Sequence, residues 1–266
     1  MPETQVVITL ILSGVVVGFI NTLAAGATII SMTVFMALGL PVIQASGTNR
    51  IAVVLQNLVS SVSFRRQKLL DLRTGARLAV PAGAGFLAGA QFSMMISDAV
   101  FNLMFGAALV GMALFLLLKP GVWLKGSSAD AGQARIRPIH YLLLFLSGFY
   151  GGSIYVGLGY FFLAIGVLGL GYDLIKANAV KGFLALVCTP VSLAVFMIHG
   201  QVNYSYGLIH AVGNILGAYV ASKYAVTIGA RFIRWLLISV ILISVLNTFG
   251  IIDINEALTR LLSCGK

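Results

Sequence analysis

Hydrophobic residues in this chain run on for longer than a soluble fold can bury them. The runs cover approximately 6–25, 27–40, 51–64, 78–96 and 99–118, then 139–157, 158–171, 179–198, 205–226 and 232–252. That is ten segments, five per half. They are apolar on every face, so the period-2 alternation of barrel strands is absent and a β-barrel is excluded. Many reach the roughly 20 residues with which a helix crosses about 30 Å of hydrocarbon. The runs 27–40 and 158–171 hold only about 14 residues by the same measure, which reads as half-helices or as segments leaning on their neighbours. Composition agrees: 59% of the residues are hydrophobic and 9% charged, against roughly 45–50% and 25% in soluble domains. The expected class is an all-α integral membrane protein, a helical bundle with about eight to ten membrane-spanning helices, some of them short or broken.

The interruptions are as informative as the runs. Gly18-Phe19-Ile20-Asn21-Thr22-Leu23-Ala24-Ala25-Gly26-Ala27-Thr28 leads on to Thr48-Asn49-Arg50. Gly148-Phe149-Tyr150-Gly151-Gly152 through Gly157 leads on to Asn178-Ala179-Val180-Lys181. Gly18 and Gly148 are 130 positions apart, Gly26 and Gly157 are 131, and Arg50 and Lys181 are 131. Gly85-Phe86-Leu87-Ala88-Gly89 answers Gly213-Asn214-Ile215-Leu216-Gly217 at an offset of 128. Four matches in one order at nearly one offset indicate a duplicated unit, and duplicated hydrophobic units with matched breaks mark secondary transporters. The expected organisation is a first repeat over 1–119, a cytoplasmic linker over 120–138 containing Pro120, Gly121, Gly126, Ser127 and Ser128, and a second repeat over 139–266.

Cation placement predicts orientation. Arg65, Arg66, Lys68, Arg73 and Arg77 lie between the third and fourth segments, whereas the equivalent loop of the second half, residues 199–204, carries no charge apart from any on His199. The positive-inside rule puts these loops on opposite faces, so the repeats are inverted. The basic linker (Lys119, Lys125, Arg135, Arg137) and Lys223, Arg231 and Arg234 fall inside, with both termini outside. This distribution also accounts for the net charge of +10 without nucleic acid. Met1–Gln5 has no cation, so the first segment reads as mature structure rather than a signal peptide.

A break in a membrane helix leaves backbone groups unpaired at several kcal/mol each, unless protein or a polar cavity satisfies them. The matched breaks therefore point to an interior site, and half-helix N-termini aimed into it suit an anion. The candidate binding residues are Asn21, Thr22, Gly26, Thr28, Thr48, Asn49 and Arg50 from the first repeat, and Gly151, Gly152, Tyr155, Gly157, Asn178 and Lys181 from the second. Arg50 and Lys181 stand at the mouths of the third and eighth segments and supply charge; the Asn and Thr side chains supply hydrogen bonds. Gly14/Gly18, Gly85/Gly89 and Gly213/Gly217 read as close-packing surfaces. His140, His199 and His210 lie near segment ends and read as satisfied interfacial residues. All seven acids, Glu3, Asp71, Asp98, Asp130, Asp173, Asp253 and Glu256, fall at segment ends or in loops. No acid pair, metal-ligand cluster or phosphate loop stands out, so neither an enzyme nor a cofactor or metal is expected.

These motifs together resemble the sulfite exporter TauE/SafE family over nearly the whole chain. The resemblant stretches are Gly18–Ala24, Gly39-Leu40-Pro41, Thr48-Asn49-Arg50, Gly148–Gly152 and Lys176-Ala177-Asn178-Ala179-Val180-Lys181. One departure is Ala25-Gly26-Ala27, where members usually carry a run of glycines. The resemblance implies a bacterial inner-membrane, multi-pass carrier for small sulfur-containing anions such as sulfite, sulfonates or sulfoacetate, often outward, working as a monomer or homodimer among membrane lipids. A proton-coupled importer of a small organic anion and an anion channel are the alternatives on the same scaffold.

Overall fold

A computed structural model describes residues 3–107 and 136–248. All regular structure in these residues is helical: α1 (Glu3–Leu23), α2 (Thr28–Ala37), α3 (Val42–Arg66), α4 (Leu72–Met95), α5 (98–107), α6 (Pro138–Ser153), α7 (Leu158–Ala164, continued as a π turn over Ile165–Gly169), α8 (Leu174–Ile198) and α9 (Tyr204–Thr248). The expected all-α membrane class holds: α1, α4 and α8 are each long and apolar enough to span. Residues 120–135 of the expected linker, 108–118 of the fifth run, and 249–252 of the tenth lie outside the described residues, as do Lys119, Asp130, Asp253 and Glu256.

The two short runs are half-helices that turn back. At about 1.5 Å per residue, the ten residues of α2 cover about half of the hydrocarbon. Its start shares a cavity with Val53 and Asn57, midway along α3, while its end lies at Ala37, just before α3 begins at Val42. Thr48 of α3 and Gly14 of α1 both meet the start of α9, at Asn203 and His210. α1 and α2 therefore form a hairpin that enters from one end of the bundle and leaves by the same end. α7 returns in the same way to the start of α6, where Gly169 lies against the His140 ring. That start belongs to the opposite end, because α4 and α6 run parallel, Gly148 meeting Ala82 and Gly152 meeting Phe86, and α4 begins at the α3–α4 turn.

Two helix pairs frame these hairpins through glycine. A Cβ on Gly18 would collide with the backbone of Asn214, and one on Gly217 with Val15, so α1 and α9 touch backbone to backbone. A Cβ on Gly85 would strike Phe145, and one on Gly148 would strike Ala82, so α4 and α6 do the same. α3 and α8 run antiparallel through the middle. α3 is as long as α8, but its buried side is polar, with Ser46, Thr48, Asn49, Arg50, Gln56, Asn57, Ser60 and Ser61 all inside.

Three expectations are corrected. α3 starts at Val42, not near 51, because residues 45–50 are buried against protein, with Arg50 and Thr48 hydrogen-bonded to the second half of the chain. Arg50 and Lys181 accordingly sit in the third turn of their helices rather than at segment mouths. The ninth and tenth runs are one helix of 45 residues, continuous through Arg231 and Arg234, since no proline between them removes a backbone donor. At the basic end, α4 is capped by Asp71, whose carboxylate accepts from Arg73 N (3.0 Å) and Thr74 Oγ1 (2.6 Å). The Thr74 hydroxyl bond holds that carboxyl below the usual carboxylate range.

Candidate functional site

Each hairpin tip exposes the carbonyls that end one helix and the amides that begin the next. The carbonyls of the first tip are taken up by residues of the second half. Lys181 Nζ donates to Asn21 O at 2.7 Å and to Ala24 O, and also to Asn178 Oδ1 at 2.6 Å. Asn178 Nδ2 donates to Leu23 O at 2.7 Å, and the Tyr160 hydroxyl to Ala25 O at 3.0 Å. The consecutive tip carbonyls of Leu23, Ala24 and Ala25 are thus covered by side chains from α7 and α8, with Asn21 O in addition.

The second tip is treated in kind by the first half. Arg50 donates through Nη1 to Gly151 O (3.0 Å) and Ser192 Oγ (2.8 Å), and through Nη2 to Gly152 O (2.7 Å) and Ser153 O (3.2 Å). Its guanidinium carbon lies 4.3 Å from the Phe196 ring centre and 5.4 Å from that of Tyr155. Arg50 is fully buried and Lys181 nearly so, at 6% exposed. Both cations face the negative ends of helix dipoles. Among the described residues no carboxylate is buried, so neither cation has an acidic counter-ion there.

Backbone conformation at the tips explains two residue choices. Gly26 adopts φ +90°, which any residue with a Cβ resists, and Ala25 and Ala27 do not need it. The alanines flanking Gly26 are therefore compatible with the turn. A Cβ on Gly26 would also strike the Tyr160 hydroxyl. In the second tip Gly157 has φ +73° and Tyr155, unusually for a side-chain-bearing residue, φ +70°.

Between the tips lies a cavity of about 40 Å³, room for about three waters or an anion of similar bulk. Asn21, Gly26 and Thr28 line it from the first tip, Tyr155, Gly157 and Gly159 from the second, and Lys181 from α8. Asn21 is fixed there by accepting from Ala27 N (3.0 Å) and donating to Thr28 Oγ1 (3.3 Å). Six of the thirteen candidate residues thus meet in one space: Asn21, Gly26, Thr28, Tyr155, Gly157 and Lys181.

The other seven stand behind it. Arg50, Gly151 and Gly152 form the capped carbonyl cluster, and Asn178 orients Lys181. Thr48 Oγ1 accepts from Asn203 N at 2.9 Å. Thr22 Oγ1 and Asn49 Nδ2 are buried without a hydrogen-bond partner. Sequence reasoning missed Gln56 and Asn57, which line the cavity from α3, Gln56 with its carbonyl oxygen unpaired. The available signal was an adjacent amide pair inside a run whose other polar residues are serines. His210, expected at an interface, is fully buried: Nδ1–H donates to Leu10 O and Nε2 accepts from Ser31 Oγ, each at 2.9 Å, which fastens α2 to α1 and α9.

The profile of the family described as sulfite exporter TauE/SafE matches residues 10–248. A probable membrane transporter protein, ORF9, of a Sinorhizobium species is 30% identical over 234 residues, 87% of either chain. A probable membrane transporter protein of Haemophilus influenzae is 27% identical, covering 83% of this chain and 86% of its own. The probable membrane transporter protein YfcA of Escherichia coli is 24% identical, covering 84% and 82%. No solved structure matches the chain.

Proposed function

The chain belongs to the sulfite exporter TauE/SafE family and is a membrane transporter, and from that premise we propose an alternating-access carrier that exports a small sulfur-containing anion, such as sulfite, a sulfonate or sulfoacetate, across a bacterial inner membrane. The observation that carries this reading is the pair of buried cations, Arg50 and Lys181, with no buried acid among the described residues. Each tip joins a helix end of about −0.5 charge to a helix start of about +0.5, so the added cation leaves the neighbourhood positive. Two such tips around one cavity form an electropositive pocket that an anion completes.

In this reading Arg50 and Lys181 do not clamp the substrate directly. They offset the carbonyl ends, and the substrate oxygens are met by first-turn amides of α2 and α7 and by Asn21, Thr28, Gln56 and Asn57. The matched sequence intervals and the exchange of cations between halves support two inverted repeats spanning 1–119 and 139–266. An inside-negative potential favours outward movement of an anion by about 2.3 kcal/mol per charge per 100 mV, so export can run without a coupled proton.

The test is flux of sulfite and of short sulfonates from proteoliposomes under imposed voltage. Arg50→Gln and Lys181→Gln are expected to remove saturable flux while the protein remains folded. Wild-type flux in both variants would reject the site. Flux driven by a pH gradient at zero voltage would select the proton-coupled importer instead, and single-channel currents would select a channel.

A further inference from the structure

A second concavity, of about 440 Å³, lies on the outer face of the bundle between α3 and α9, at the end where the basic α3–α4 turn sits. Leu58 and Val62, nearly half exposed, form its apolar wall. Arg66, two helical turns or about 12 Å beyond Leu58, forms its charged end together with Lys223 of α9. Tyr219 stands between, its ring centre 5.7 Å from Lys223 Nζ. The floor is rigid, because Gln67 Nε2 donates across the helix pair to Ser222 O at 2.8 Å. Among the described residues, no acidic side chain lines the groove.

This gradient, from hydrocarbon contact to two cations within one groove, is the outline of a single lipid standing along the membrane normal. We propose that the α3–α9 groove binds an anionic phospholipid, with an acyl chain along Leu58 and Val62 and the phosphate at Arg66 and Lys223. A zwitterionic lipid matches the wall but not the charged end. A soluble phosphate matches the charged end but not the wall. The proposal does not depend on which substrate the central cavity takes.

The test uses the full chain purified in detergent, with thermal unfolding followed as phosphatidylglycerol, phosphatidylcholine or inorganic phosphate is added. One basic side chain at a membrane surface favours anionic lipid by about a factor of five, so two predict a preference of roughly thirty-fold for phosphatidylglycerol. Arg66→Gln with Lys223→Gln should abolish the preference, whereas Arg73→Gln with Arg77→Gln, exposed at the same end, should retain it. Native mass spectrometry of the unmodified protein should show one retained anionic lipid, displaced when Val62→Trp fills the groove. Equal stabilisation by both lipids, an equal effect of inorganic phosphate, or loss of preference in the Arg73/Arg77 control would overturn the proposal. So would a lipid-free dimer that Val62→Trp splits, since the groove would then hold a second copy of the chain.

Discussion

Lys181 shows how one side chain can be structural and electrostatic at once. Its three hydrogen bonds are all spent on Asn21 O, Ala24 O and Asn178 Oδ1, yet it borders the cavity, so its charge acts there through space. Asn178→Ala should remove one of the ammonium's three acceptors and orphan Leu23 O, costing about 1–3 kcal/mol. A lowered unfolding temperature with a raised substrate KM checks it; an unchanged KM would show that the position of Lys181 does not matter to binding. At Gly26, substitution by Ala should cost about 1–3 kcal/mol through positive φ alone, with the collision against Tyr160 added. Thermal unfolding measures this, and a wild-type midpoint would mean that the tip relaxes freely.

Elements differ in how plainly the sequence announces them. The hairpin tips were legible, because a cluster of small residues inside an apolar run breaks the helix, and lipid tolerates such a break only where protein or a polar cavity covers it. The start of α3 was not: residues 44–50 look like a loop by hydropathy, and only neighbours from the other half make their burial favourable. Nor was the capping of each tip by the opposite cation, since residues 131 positions apart carry no sign of whose carbonyls they meet. Gln56 and Asn57 were hidden for the same reason: whether an amide faces lipid, protein or a cavity is a matter of helix rotation, not composition. Close helix contact, by contrast, was readable from the glycine spacing. Gly85→Leu should separate α4 from α6 and cost at least about 1–3 kcal/mol, while Gly106→Ala, with nothing within 4 Å of the added carbon, should be silent. Equal loss of folded yield in both would contradict the contact.

At the scale of the molecule, the two halves are joined at their centres. A Cβ on Gly159 would lie 2.8 Å from that of Ala25, so Ala25→Cys with Gly159→Cys should form a disulfide after a slight adjustment. Oxidation is expected to stop transport and reduction to restore it; undiminished flux in the oxidised protein would mean that the tips keep one arrangement throughout the cycle. Arg50 belongs to the half whose own tip Lys181 secures, and Lys181 to the half whose tip Arg50 secures. Displacing either hairpin therefore strains an anchor embedded in the other side, as meshed gears cannot turn singly. In the proposed carrier, this linkage resists having both doors ajar together, which keeps solute movement from leaking the membrane's ion gradients.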